Sequence, residues 1–151
     1  MKLAEALAER GDCQKRIEEV RKRLTRSARV QEGEQPAENP AELLAELDRL
    51  FGRLLELVQS INRTNSATPF DGRRTISDAI AERDAVGKKR DALSQLAESA
   101  STRQDRYTKS EVKFVATVSV AELQKQADRL SKEFRELDTR LQELNWKTDI
   151  V

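Results

Sequence analysis

Residues 119–148 read SVAELQKQADRLSKEFRELDTRLQELNWKT. Within them Leu123, Ala127, Leu130, Phe134, Leu137, Leu141, Leu144 and Thr148 step by four and three residues, and all but the last are apolar. That spacing lines one seam of a helix whose other faces are charged. Ser119 as N-cap, with Glu122 three positions on, opens the helix in capping-box style. A helix over about 119–147 follows, about 43 Å long at roughly 1.5 Å per residue.

Three earlier stretches carry the same kind of stripe. Leu3, Ala6, Cys13, Ile17, Val20 and Leu24 mark a helix over about 2–28, with Leu7 widening its apolar face and Gly11 as a local weakness. The segment Val30 to Asn39 contains Gly and Pro without period and reads as a connector. Asn39 as N-cap and Pro40 at the first helical position start a helix over about 40–66. Its Leu43, Leu44, Leu47, Leu50, Phe51, Leu54, Leu55, Leu57, Val58 and Ile61 span more than one seam, so this helix expects contact on more than one side.

Pro69 and the Asp71-Gly72 turn stop that helix, and Thr75 with Asp78 caps the next, over about 75–102. Residues 111–118, EVKFVATV, are β-branched and aromatic and predict a small β element before the last helix. A lone strand is not stable. Its partner is expected either near Arg29 to Gln31 or in the same segment of another subunit. The expected fold is all-α: an elongated antiparallel four-helix bundle, one domain over 1–151, with that β element.

Composition suits the expectation. Charged residues make up 36% of the 151 and hydrophobic residues 37%, against a usual charged share of about 25%. Helical bundles tolerate this balance because each helix buries only a stripe, whereas a compact α/β domain wants more apolar side chains. The net charge of +1 leaves no basic surplus to favour nucleic acid or an anionic membrane. The basic run Arg21, Lys22, Arg23, Arg26 and Arg29 ends one helix, and Glu32, Glu34, Glu38 and Glu42 precede or begin the next. Both suit the helix macrodipoles. No run approaches the 18 or so apolar residues of a spanning helix. Glu5 and Glu9 occupy the place of a signal peptide's apolar core, and the single cysteine forms no internal disulfide. A cytoplasmic protein is expected.

Chemistry has little to work with. The chain has no histidine and one cysteine, so histidine catalysis, zinc sites and Glu-x-x-His di-iron sites are excluded. Phosphate-cradling glycine loops are missing as well. No cofactor and no metal are expected, and Cys13 reads as a small buried hydrophobe. The densest polar group is Asn62, Asn65, Arg83 and Asp84, near one level of an antiparallel hairpin. It reads first as a hydrogen-bonded cap network fixing register, and alternatively as a site for a small anionic ligand. Trp146, at a helix end, reads as a lid over the core.

Several strings together carry a resemblance: LAEALAER at 3–10, ARVQEG at 28–33, INRTN at 61–65, DAIAERD at 78–84, LQKQAD at 123–128, and Asn145-Trp146. With them the chain resembles the septicolysin-like family of small bacterial helical proteins over nearly its whole length. The family name implies a membrane-active cytolysin, and no catalytic residue is carried over. The residues themselves show neither a spanning segment nor a basic amphipathic helix of interfacial type.

The function expected from the residues is a non-enzymatic, homo-oligomeric helical scaffold or interaction protein. Its contacts are expected along the last helix at Leu130, Phe134, Leu137 and Leu141, and at Val112 and Phe114 in the extended segment. A different protein partner is compatible with the same stripes. The anionic-ligand bundle and the cytolysin are the two alternatives.

Overall fold

The structure is a computed structural model that describes residues 1–101 and 112–151. It is all-helical, with four helices among the described residues: α1 (Leu3–Ser27), α2 (Pro40–Ala67), α3 (Ile76–Ser101) and α4 (Val120–Lys147). Caps set where these helices start, while the end expected for the third, near residue 102, lies outside the described residues. Asn39 accepts the Ala41 N–H through Oδ1 at 2.9 Å. The Thr75 N–H donates to Asp78 Oδ2 at 2.9 Å, and the Asp78 N–H donates back to Thr75 Oγ1 at 3.2 Å. The Glu122 N–H donates to Ser119 Oγ at 3.2 Å. Each cap satisfies amide donors that the first turn leaves orphaned.

The chain packs as two compact units. The first comprises Met1–Pro69 with Glu143–Val151. Ile17 and Val20 of α1 close against Leu43 and Leu50 of α2, with Leu24, Leu47 and Leu54 packed on that cluster. Ion pairs join Glu9 to Arg53, Arg16 to Glu46 and Arg23 to Glu38, so residue numbers rise along one helix as they fall along the other. The two helices therefore run in opposite directions. The chain's last residues lie against this unit: Leu3 N–H donates to the Thr148 carbonyl at 2.8 Å, and Ile150 N–H donates to the Met1 carbonyl at 3.0 Å. Buried Thr64 donates its hydroxyl to the Ser60 carbonyl at 2.8 Å and accepts the Val151 N–H at 2.9 Å. The tail thus spends its polar groups within its own unit.

The second unit comprises Phe70–Gln142. Ile76, Ala79, Ala97, Ala127, Leu137 and Leu141 are buried in it. A Cβ on Gly87 would lie 3.0 Å from Phe134 Cε2, so the missing side chain is what lets α3 and α4 approach there. Arg90 stacks over the same ring, 5.0 Å from its centroid. Arg83 donates to Asp138 at 2.9 Å one turn further along.

The predicted β element is not seen. Residues 112–118 form neither strand nor helix, and residue 111 lies outside the described residues. Residues 29–31 likewise pair with nothing in a β manner, and the one bridge among the described residues joins Lys2 to Asp149. β-branched and aromatic side chains favour extended backbone, but a ladder needs a second strand opposite, and among the described residues no strand pairs with residues 112–118.

Candidate functional site

The heptad that suggested an oligomer seam on α4 is used inside the chain. Leu137 and Leu141 are buried, Phe134 packs on Gly87, and Leu130 is half-buried. Val112 and Phe114 are the opposite case, 70% and 81% exposed.

The outstanding apolar surface of a regular element is on α2. Its inner line, Leu43, Leu50, Leu57 and Ile61, is buried. A second line, Leu44, Phe51 and Leu55, is 53%, 49% and 57% exposed. At about 100° per residue these three fall within about 40° of one another around the helix. Half-buried Leu47, Leu54 and Val58 fill the arc between the two lines. On the far flank the side chains are small: Ala41, Ala45 and Gly52, the last with nothing within 4 Å of where a Cβ would stand. Asp48 is the one charged residue on this exposed face between Pro40 and Asn62.

The flank of α2 away from the stripe, and the connector before it, are tied to α1 by ion pairs. Arg53 donates to Glu9 at 2.7 and 2.9 Å, and Arg23 grips Glu38 with two nitrogens. These bonds hold the Glu9 and Glu38 carboxyls below their usual range, chiefly because the guanidinium hydrogen bonds favour the charged form. A shallow groove of about 470 Å³ runs there, lined among others by Glu9, Asp12, Arg16, Glu46, Arg49 and Arg53. Three carboxylates face three guanidiniums, so it offers an anion no net attraction. Buried Cys13 also borders the groove.

The polar cluster expected as a ligand site is divided between the two units. Asn62 and Asn65 belong to the first; Arg83 and Asp84 belong to the second. Arg83 contacts Asp84 at 3.1 Å and Asp138 at 2.9 Å. One guanidinium between two carboxylates carries a local deficit of positive charge, which suits an interhelical clasp. Trp146 is 63% exposed and is no lid over the core.

A knot at the start of the second unit had not been anticipated. Asp71 Oδ1 accepts the Arg73 and Arg74 N–H groups, each at 2.9 Å, and Asp71 Oδ2 accepts the Arg74 guanidinium at 2.7 Å. Arg74 also bonds Glu82 and stacks on Phe70, 4.9 Å from the ring centroid. The Arg74 side-chain bond first, and then the Arg73 backbone donor, hold the Asp71 carboxyl far below its ordinary value. The signal was the string Asp71-Gly72-Arg73-Arg74, of which only the turn is legible without knowing that Glu82 lies opposite. Among the described residues no group of three or more Cys, Asp or Glu side chains is arranged to hold a metal ion, and no helix is long and apolar enough to cross a membrane.

These features define a small all-α protein whose distinctive surface is a helix face. The chain belongs to DUF6847, a family of unknown function whose model matches residues 10–150. It is similar to a solved structure, that of a functionally unknown conserved protein from Corynebacterium diphtheriae. The two share 50% identity over 100% of this chain and 99% of that one, with a TM-score of 0.95. No curated protein matches the chain.

Proposed function

We propose that this protein is a non-enzymatic helical scaffold that acts in the cytoplasm by associating with itself. One observation carries the reading: Leu44, Phe51 and Leu55 form an exposed apolar line on α2 with a single charge beside it. Exposed apolar residues scattered singly are ordinary, whereas a contiguous helical line of them marks an interaction surface. The expected zipper thereby moves from α4, whose Leu137 and Leu141 are covered within the chain, to α2. The exposed Val112 and Phe114 are available as secondary contacts.

Light scattering coupled to size-exclusion chromatography on the reduced protein tests this reading. The expected result is a discrete species above the 17.2 kDa of one chain. A chain that elutes as a monomer at every concentration contradicts it.

A further inference from the structure

Resting on that reading, we infer that the α2 face docks on the α2 face of a second copy, antiparallel, about a two-fold axis passing beside Phe51. A two-fold contact uses one patch twice, so the patch must complement its own reverse. The stripe has that symmetry. Leu44 lies seven residues before Phe51 and Val58 seven after; Leu47 lies four before and Leu55 four after. Reversing the helix about Phe51 therefore sets Leu44 against Val58 and Leu47 against Leu55, apolar against apolar at both of these layers.

The one charge on the face selects the direction. A parallel pair places Asp48 against its own copy. The antiparallel pair sets it opposite Leu54 instead, so the two carboxylates stand about 9 Å apart along the axis at roughly 1.5 Å per residue. Antiparallel packing also places opposite helix dipoles side by side. Small residues complete the fit. Ala41, Ala45 and Gly52 flank the stripe, and among the described residues nothing stands within 4 Å of a Cβ at position 52. Gly in an exposed helix interior costs about 1 kcal/mol relative to Ala, and at position 52 it leaves room for a second helix to approach.

Cysteine cross-linking in a Cys13→Ser background reads the register directly. Phe51→Cys is expected to give a disulfide-linked dimer on mild oxidation. Leu44→Cys alone is expected to give little, while Leu44→Cys mixed with Val58→Cys is expected to cross-link. Phe51→Glu, at an exposed position that leaves the helical circular dichroism unchanged, is expected to weaken association about tenfold or more. An oligomer in which position 44 cross-links to itself and position 51 does not overturns this pairing but leaves self-association standing. Association undiminished in a folded Phe51→Glu chain also overturns the pairing. A monomer throughout, including one that instead captures another protein, overturns both.

Discussion

At the scale of single residues, one glycine and a few carboxylates carry the argument. Gly87 faces Phe134 at a distance no Cβ tolerates comfortably, whereas Gly11 has nothing within 4 Å. Gly87→Leu is therefore expected to lower stability by about 1–3 kcal/mol through overpacking. Gly11→Ala is expected to raise it by about 0.5–1 kcal/mol. Urea unfolding followed by circular dichroism measures both, and equal effects at the two sites would contradict the packing described. The Glu9, Glu38, Asp71 and Asp78 carboxyls all have folded-state values below their ordinary ones, owing to hydrogen bonds from Arg53, Arg23, Arg74 and Thr75 respectively. Depressed carboxyls contribute stability that is present above the unfolded value of about 4 and is lost as pH falls through the folded values. With no histidine in the chain, the unfolding midpoint is expected to be flat between about pH 5 and 7 and to fall below about pH 4. A step near pH 6.5, where histidine would titrate, would contradict this. Gly87 was not legible as a contact in the sequence, because its reason is a ring 47 residues away on another helix.

At the scale of elements, periodicity told which faces are apolar and was silent on what covers them. Leu141 on α4 and Leu55 on α2 belong to equally regular stripes, yet the first is 1% exposed and the second 57%. Spacing places a side chain on a face; the neighbouring helix decides its burial. Helix limits were legible because Asn39, Thr75 and Ser119 act within a few residues of themselves. Residues 112–118 form no strand here for the converse reason, since strand propensity is local and strand pairing is not. Core truncations separate the two α2 lines. Leu57→Ala, on the buried line, is expected to cost about 2–5 kcal/mol by chemical unfolding. Leu55→Ala, on the exposed line, is expected to change the stability of a dilute sample by about 0.5 kcal/mol or less. A large loss from the second substitution in dilute protein would mean that the stripe is covered within the chain.

At the scale of the whole molecule, the open question is what covers the exposed apolar face. Of the residues expected as a site, Arg83 is engaged with Asp84 and Asp138, and the unanticipated Arg74 is engaged in the same way with Asp71 and Glu82. What is left exposed and regular is apolar, along α2. Sedimentation equilibrium of the reduced protein across a hundredfold concentration range, beside the Leu55→Glu chain, tests this most directly. The account predicts a mass rising above 17.2 kDa for the unsubstituted chain and remaining at the monomer value for Leu55→Glu. A mass of one chain at every concentration for both proteins, or the same assembly for both, would contradict it.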